Sequence, residues 1–250
     1  MRIFHNVRQY SQEYDRLKLG IPTSSNFHKI ITPHGKRSRQ WREYACLLIA
    51  ERILQRRIEF YRSPAMERGV IVEAEAADWY EFDQDVTVQP IGFITDDAHT
   101  VECSPDRLVG DDGLLEIKAP LPHTQVDYWL SGAVNERFWP QLQGQLYVSQ
   151  RRWVDLLCWH DVLPKIVMRI EPDAAFIKAL DRELQSFNFL YRACHGKDPR
   201  YQRGAGPPRT IGIEGGVPSE PGDCPVTANP IIARRHSPDP LSGEDRAGHF

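Results

Sequence analysis

The sequence has few cysteines and no long apolar stretch. Its five cysteines are odd in number, widely scattered and never spaced as CxxC, which argues against a zinc ribbon, an iron–sulfur cluster or a disulfide framework. No segment approaches the ~18 consecutive apolar residues that a membrane span needs, so an integral membrane protein is excluded. The first six residues lack the apolar core of a secretory signal. We therefore expect a cytoplasmic protein with no membrane partner.

Charge is segregated along the chain, although the net charge over 250 residues is only −3. A basic block, residues 16–62, holds 11 Lys/Arg and 3 Asp/Glu, and an acidic block, residues 67–116, holds 14 Asp/Glu and 2 Arg. The two blocks fit either of two interpretations. They are solvated faces that neutralise each other, or they are a basic surface for phosphates beside an acidic pocket for divalent cations.

The last 55 residues differ from the rest of the chain in composition. Residues 196–250 contain 9 of the 17 glycines and 9 of the 19 prolines, with no helical or alternating apolar period. Such a segment cannot bury enough apolar surface to offset the entropy of ordering it. The composition therefore predicts a folded domain over residues 1–195 and a disordered Pro/Gly-rich tail over residues 196–250.

Hydrophobic periodicity within residues 1–195 predicts an α/β sandwich with a mixed sheet. Apolar residues at helical spacing indicate helices, and short apolar or alternating runs between turn residues indicate strands. The predicted helices cover residues 38–57, 65–82, 140–149 and 172–193. The predicted strands cover residues 86–90, 91–95, 106–109, 114–118, 154–159 and 165–170.

The predicted hairpin around residues 110–113 carries the residues with the strongest chemical meaning. Glu116 and Lys118 share one face of a strand whose other face is apolar, so both face something polar. Asp106, on the preceding strand, joins the face of Glu116 only if the hairpin loop has an odd number of residues. The plainer alternative is a surface hairpin with an ordinary Glu–Lys pair.

Two carboxylates that meet at one point repel each other, and removing them from water increases that cost. A hard divalent cation such as Mg²⁺ removes the repulsion, polarises a phosphoryl oxygen and makes a bound water more acidic. Lys118 would then stabilise the charge that develops on the phosphate or help to deprotonate the attacking water. The hairpin thus indicates metal-dependent phosphoryl chemistry.

Two helical positions add to this hypothesis. Glu73 lies one turn after Gly69, whose missing side chain permits close approach of DNA or of another backbone. Gln141 and Gln145 are neighbours on one face of the following helix. The plainer interpretations are a solvated helix glutamate and a solvent-exposed polar stripe.

Four short motifs follow one another along the chain. They are Arg-Leu-Lys-Leu-Gly-Ile-Pro-Thr-Ser-Ser at 16–25, Arg-Gly-Val-Ile-Val-Glu at 68–73, Ser-Pro-Asp at 104–106 with Leu-Glu-Ile-Lys at 115–118, and Pro-Gln-Leu-Gln-Gly-Gln at 140–145. One Glu-x-Lys is weak evidence, whereas four motifs in this order are specific. Together they resemble the phage lambda-type exonucleases, the viral recombinase branch of the PD-(D/E)xK nuclease superfamily, over about residues 14–190.

The resemblance implies a restriction-endonuclease-like core, with a central mixed β-sheet flanked by helices, and it makes residues 1–195 the exonuclease domain. It implies Mg²⁺-dependent 5′→3′ digestion of double-stranded DNA from linear ends, which leaves 3′ single-stranded overhangs for phage-type recombination. It also implies a homotrimeric ring around DNA and a single-strand annealing protein as a partner.

The resemblance further assigns roles at the catalytic site. The catalytic lysine would be Lys118. One or two Mg²⁺ or Mn²⁺ ions would be held by the side chains of Asp106, Glu116 and Glu73 and by the main-chain carbonyl of Ile117.

At the DNA end, the resemblance implies a 5′-phosphate held by Lys18, Ser25, Ser104 and Gln141. The family usually has arginine at the position of Lys18, and lysine keeps the charge but loses the bidentate fork. Met66 lies where the family places an apolar wedge that separates the terminal base pair. The plainer interpretation is a core methionine.

Two other functions fit the same residues. A repair or restriction endonuclease of the superfamily would share the catalytic residues, and a non-catalytic DNA-binding relative would share the fold. The Thr-Ser-Ser segment at 23–25 and the pair Gly69 and Glu73 favour the exonuclease. A binding module has no need for three mutually costly charges on one hairpin.

Overall fold

The computed structural model describes residues 1–58, 64–133 and 135–195 of the chain. The α-helices are α1 Gln12–Leu17, α2 Trp41–Leu54, α3 Pro64–Gln84, α4 Pro122–Ser131, α5 Trp139–Ser149 and α6 Ala174–His195, and short 3-10 helices cover Ser24–Lys29 and Glu136–Phe138. The strands are β1 Arg2–Phe4, β2 Val88–Pro90, β3 Phe93–Thr95, β4 Glu102–Cys103, β5 Arg107–Val109, β6 Gly113–Lys118, β7 Trp153–Cys158 and β8 Ile166–Ile170.

The central sheet has the strand order β2-β5-β6-β7-β8. Strand β6 runs parallel to β7, with Gly113 opposite Trp153 and Lys118 opposite Cys158. The other neighbouring pairs are antiparallel. The predicted mixed sheet is therefore confirmed.

Alternating side chains of β6 serve two different cores, one on each face of the sheet. Leu114 packs into a cluster formed with α2, α5 and α6. Leu115 and Ile117 point the other way and pack against α3, where fully buried Ala76 lets the helix lie close to the sheet. Because side chains alternate along a strand, Glu116 lies on the same face as Leu114, which α5 covers. Helices thus flank both faces, as predicted.

A smaller sheet, in the order β1-β3-β4, holds the N-terminal segment beside the hairpin. The side-chain amide of Gln9 donates to the carbonyls of Ile91 at 2.9 Å and Pro105 at 3.2 Å. At Gly92, an added Cβ would lie 2.3 Å from the carbonyl oxygen of Val7, so this contact requires glycine. The N-terminal segment is thereby fixed against the residues that precede Asp106.

Close packing at Gly144 brings α5 onto the 3-10 helix Ser24–Lys29. An added Cβ at Gly144 would lie 2.4 Å from the ring of Phe27 and 3.2 Å from the Cβ of Ser24. The absent side chain therefore lets the element that carries Ser25 contact the helix that carries Gln141.

Some elements differ from the prediction. The strands expected at 86–90 and 91–95 are shorter and belong to different sheets, β2 to the central sheet and β3 to the smaller one. Helices α1 and α4 and strands β1 and β4 were not predicted. Helix α4 has recognisable signals, since Pro122 lies in its first turn and Gly132, with φ of 65°, follows its last residue.

Two predictions concern parts of the chain that are not described. Residues 196–250, with the predicted tail, lie outside the described residues. Met66 belongs to α3, but its side chain is also outside the described part of the chain. Among the residues that are described, no helix has both the length and the apolar character that crossing a bilayer requires.

Replacing Gly144 by alanine tests the close packing of α5. Gly144→Ala should lower the free energy of unfolding by about 1–3 kcal/mol, the usual cost of overpacking a core. Gly69→Ala is the matched control, because nothing lies within 4 Å of a Cβ added there. That control should gain stability by up to about 1 kcal/mol, because alanine is the better helix former. Urea unfolding of both variants measures the difference, and equal stabilities would contradict the packing.

Candidate active site

The hairpin of β5 and β6 has the register on which the site depends. Arg107 pairs with Leu115 and Val109 with Gly113, so residues 110–112 form a three-residue loop. The main-chain N–H of Asp106 donates to the carbonyl of Leu115 at 3.1 Å, which fixes Asp106 at the end of this pairing. The loop is odd in length, as the prediction requires, and the charge of Glu116 is close enough to raise the pKa of Asp106.

Glu116 is buried, with 4% of its surface exposed, and both of its oxygens accept hydrogen bonds. The Nε2 of Gln141 lies 2.6 Å from Oε1, and the Nε2 of Gln145 lies 2.5 Å from Oε2. Lys118 adds an ion pair, with Nζ 2.5 Å from Oε1. The two glutamines are one turn apart on α5, so one face of a helix presents both donors. The alternative of a solvent-exposed polar stripe is wrong for Gln145, which is fully buried.

Asp106 experiences electrostatic repulsion from the neighbouring carboxylates. Its Oδ2 accepts a hydrogen bond from the main-chain N–H of Ile117 at 2.6 Å. Burial, and then the charges of Glu116 and Glu73, raise the pKa of Asp106 well above its ordinary value, although Lys118 opposes this. Burial by itself lowers the pKa of Lys118, but Glu116 and Asp106 outweigh it and the pKa is raised. The carboxylates thus repel each other more than one lysine compensates.

Glu73 is paired with an arginine. The Nη1 of Arg107 lies 2.5 Å from Oε1 of Glu73 and 2.6 Å from the main-chain oxygen of Asp106. Within the described ranges, no three His, Cys, Asp or Glu side chains gather closely enough to hold a metal ion together. The predicted convergence of three carboxylates is therefore incomplete, since Asp106 lies near Glu116 while Arg107 engages Glu73.

The donor set of the hairpin nevertheless fits a hard divalent cation. Two buried carboxylates that repel each other are stabilised when a cation binds between them, and oxygen is the ligand that Mg²⁺ prefers. Glu73 is close enough to raise the pKa of Asp106 and would join such a site when Arg107 releases it. The assignment of these carboxylates and of the Ile117 carbonyl as metal ligands stays a prediction.

Lys18 lies in a buried polar group with Tyr14, Ser104 and Glu102. Its Nζ donates to the hydroxyl of Tyr14 and to Oγ of Ser104, the latter at 2.8 Å. An ion pair joins Nζ to Oε1 of Glu102 at 3.0 Å. Burial lowers the pKa of Lys18, but Glu102 and then Tyr14 raise it above its ordinary value. Lys18 and Ser104, both expected at the DNA end, are thus brought together.

The other two residues expected at the DNA end lie in different surroundings. Gln141 donates to Glu116 and so belongs to the carboxylate group. Ser25 is exposed on the 3-10 helix, with Oγ 3.4 Å from Oγ1 of Thr23. The role of all four residues at a DNA end stays a prediction.

Several site residues were missed by sequence reasoning. Tyr14 stands four residues before Lys18, a spacing that a predicted α1 would have made meaningful. Arg107 directly follows Asp106, and that adjacency was its only signal. Tyr10, in a left-handed backbone conformation with φ of 63°, lies near the carboxylates: burial, and then the charge of Asp106, raise its pKa to about 12.

Residues 13–152 match the YqaJ-like viral recombinase domain, which is more than half of the chain. The chain belongs to the YqaJ-like viral recombinase family. The resemblance to the viral recombinase branch of the nucleases is therefore confirmed. Comparison with curated proteins gives no significant match.

Solved structures of exonucleases share the fold. An alkaline exonuclease from Laribacter hongkongensis, LHK-Exo, is 27% identical with a TM-score of 0.68, over 76% of this chain and 97% of that one. LHK-Exo in complex with dAMP is 28% identical, with the same TM-score and coverage. A phage-related exonuclease from Haemophilus somnus 129PT, 12% identical with a TM-score of 0.57 over 71% of this chain and 96% of that one, is alike in fold alone. The predicted fold class is confirmed, and a nuclease of the lambda-exonuclease type is supported.

Asp106→Asn tests the repulsion between the carboxylates. A carboxyl group whose pKa is raised by folding costs stability once the pH exceeds its unfolded pKa. In metal-free buffer near neutral pH, the variant should therefore melt about 2 °C or more above the wild type, a shift that corresponds to roughly 1 kcal/mol in a domain of this size. Thermal unfolding followed by circular dichroism measures the shift.

The control is Asp127→Asn, which changes an exposed carboxyl on α4. Its melting temperature should stay within about 1 °C of the wild type, as is usual for surface substitutions. The gain at Asp106 should vanish near pH 3, where the carboxyl is protonated in both states. A variant at Asp106 that is less stable than the wild type near neutral pH would refute the repulsion.

Proposed function

We propose that this protein is a Mg²⁺-dependent 5′→3′ exonuclease of double-stranded DNA that generates 3′ overhangs for phage-type recombination. The observation that carries the proposal is the hairpin on which Asp106, Glu116 and Lys118 converge. Membership of a viral recombinase family and similarity to an alkaline exonuclease support it. A related structure in complex with dAMP, a deoxynucleoside monophosphate, fits release of single nucleotides.

The metal would be held by Asp106, Glu116, Glu73 and the Ile117 carbonyl, as one or two Mg²⁺ or Mn²⁺ ions. When bound, such an ion polarises a phosphoryl oxygen and makes water a better nucleophile at neutral pH. Gln141 and Gln145 fix both oxygens of Glu116. A carboxylate held in one orientation presents its remaining lone pairs in a defined direction.

Lys118 supplies positive charge next to the reacting phosphate. It is ion-paired with Glu116 at 2.5 Å, which keeps the ammonium charged and fixed at the end of β6. A fixed ammonium stabilises the negative charge that develops on the phosphate as water attacks. We therefore assign Lys118 to charge stabilisation, with its proton retained.

The DNA would enter by a free end that lies against Lys18, Ser25, Ser104 and Gln141, with Met66 as the wedge between the terminal bases. The assembly proposed is a homotrimeric ring around DNA, with a single-strand annealing protein as partner. Exposed apolar side chains on α4, Trp129 and Leu130, offer a surface for protein contacts.

Linear and closed circular duplexes separate the exonuclease from the two alternatives. With Mg²⁺, the wild type should degrade the linear DNA alone, and EDTA should stop it. An endonuclease would cut both forms and a binding module neither. Release of label from the 5′ end before the 3′ end would establish the polarity, and the opposite order would refute it.

Lys118→Ala should lower the rate on linear duplex by about 100-fold or more, the usual effect of removing one donor to a developing oxyanion. DNA binding in EDTA should persist. The control is Lys178→Ala, which changes an exposed lysine on α6 and should keep the wild-type rate. Full activity of Lys118→Ala would contradict its catalytic role.

A further inference from the structure

Asp155 is a buried carboxylate that the proposed chemistry does not use. It lies on β7 with 1% of its surface exposed. Its side chain shares the face of the sheet on which Leu115, its neighbour on β6, packs against α3. A buried charge is costly unless it is paired and hydrogen-bonded. The partners of Asp155 therefore decide what it does in the fold.

Both oxygens of Asp155 accept hydrogen bonds. Nε of Arg169 donates to Oδ1 and Nη2 donates to Oδ2, each at 2.9 Å, and the guanidinium lies 3.7 Å from the centre of the Trp153 ring. The hydroxyl of Tyr80 donates to Oδ2 at 2.6 Å. Burial, and then the charge of Asp155, raise the pKa of Tyr80, so the phenol keeps the proton that it donates. The carboxylate thus joins α3 to β7.

Tyr80 and Glu73 of α3 contact the same row of residues across the central sheet. Strand pairing places side by side, on β5, β6, β7 and β8, the residues Arg107, Leu115, Asp155 and Arg169. Glu73 binds Arg107 of this row, with 2.5 Å between Oε1 and Nη1. Tyr80 binds Asp155, two strands away. Helix α3 therefore meets the row through one polar contact at Glu73 and another at Tyr80.

The spacing of these contacts is the same on the helix and on the sheet. Glu73 and Tyr80 are two helical turns apart, which is about 10 Å along the helix axis. Arg107 and Asp155 are two strand spacings apart, which is also about 10 Å across the sheet. The packing between the contacts is apolar and includes the small, buried Ala76. Because apolar packing has no preferred direction, the polar contacts determine where along the row the helix lies.

We propose that Tyr80 and Asp155 are positioning residues for Glu73. Their hydrogen bond fixes α3 on the row so that the carboxylate of Glu73 lies beside the hairpin that carries Asp106. Arg107 marks that place, since its Nη1 lies 2.5 Å from Oε1 of Glu73 and 2.6 Å from the main-chain oxygen of Asp106. Without the Tyr80 hydroxyl, the helix keeps its apolar packing but loses its fixed place on the row. The consequence for catalysis rests on the proposed exonuclease function.

A double-mutant cycle in metal-free buffer tests the positioning without relying on catalysis. Tyr80→Phe removes one hydroxyl and keeps the ring. The change in melting temperature caused by Glu73→Gln should differ by about 2 °C or more between the wild-type and Tyr80→Phe backgrounds, because contacts that depend on each other are not additive. Thermal unfolding followed by circular dichroism measures both changes.

Tyr147→Phe is the matched control for this cycle. It removes another tyrosine hydroxyl, which donates to Oδ1 of Asp181 at 2.7 Å and joins α5 to α6. In this background, the effect of Glu73→Gln should stay within about 1 °C of its effect in the wild type, as is usual for independent sites. If Tyr80→Phe fails to fold, Arg169→Gln, whose side chain is half-exposed, takes its place in the cycle.

Metal binding and catalysis give a second readout. Without DNA, Tyr80→Phe should weaken the binding of Mn²⁺, measured by electron paramagnetic resonance, by about tenfold, as is usual when a residue that orients a metal ligand is lost. With Mg²⁺ and linear duplex, kcat should fall by about tenfold or more. KM for DNA should stay within about twofold of the wild type, because Tyr80 is fully buried and offers DNA no contact.

Additive changes in melting temperature in the Tyr80 cycle overturn the inference, and so does a folded Tyr80→Phe protein with the wild-type kcat and Mn²⁺ affinity. A merely structural role would lower the melting temperature but would leave the effect of Glu73→Gln, kcat and the Mn²⁺ affinity unchanged. If the wild type degrades no DNA, the proposed function fails, whereas the melting cycle still decides the role of Tyr80.

Discussion

The closeness of Asp106 and Glu116 is the constraint around which the site is built. Both carboxylates come from one hairpin whose three-residue loop sets their register. A slip by one residue would turn Glu116 toward α3 and an apolar side chain toward α5. The fold supplies three donors to Glu116, while the repulsion remains on Asp106, whose pKa is raised well above its ordinary value. The proposed metal binding depends on this repulsion, because a cation bound between the two carboxylates would relieve it.

Helix α5 makes two separate sets of contacts, one with Glu116 and one with Phe27. On one side, Gln141 and Gln145 must reach both oxygens of Glu116. On another, Gly144 must allow the ring of Phe27 to approach, where a Cβ would lie only 2.4 Å away. Since these residues are close in sequence, the position of α5 couples the carboxylate of Glu116 to the 3-10 helix that carries Ser25.

The parts of the fold that follow from short-range patterns could be predicted. Alternation along 114–118 gave the correct faces of β6, and helical spacing gave α2, α3, α5 and α6 to within a few residues. Helix α1 has only six residues, too few to show a helical period in the sequence, and its Tyr14 and Leu17 pack in a cluster with Phe93 of β3. The partners of Lys18 were missed for the same reason, because Glu102 comes from a two-residue strand that only sheet pairing creates. Strand pairing between segments that are far apart in sequence produces no local sequence pattern from which it could be predicted.

Counting charges along the chain gives a misleading impression of what a DNA end would meet. Lys18, the expected phosphate ligand, is bound to Glu102, and Arg107, in the middle of the acidic block, is bound to Glu73. Each cation is thus neutralised beside the site, and each bond fixes the position of a neighbouring polar group. The acidic block contributes two of its carboxylates to these pairs, whereas Asp106 and Glu116 both lie near Lys118. A ligand bound there would therefore meet cations that already have carboxylate partners within the protein.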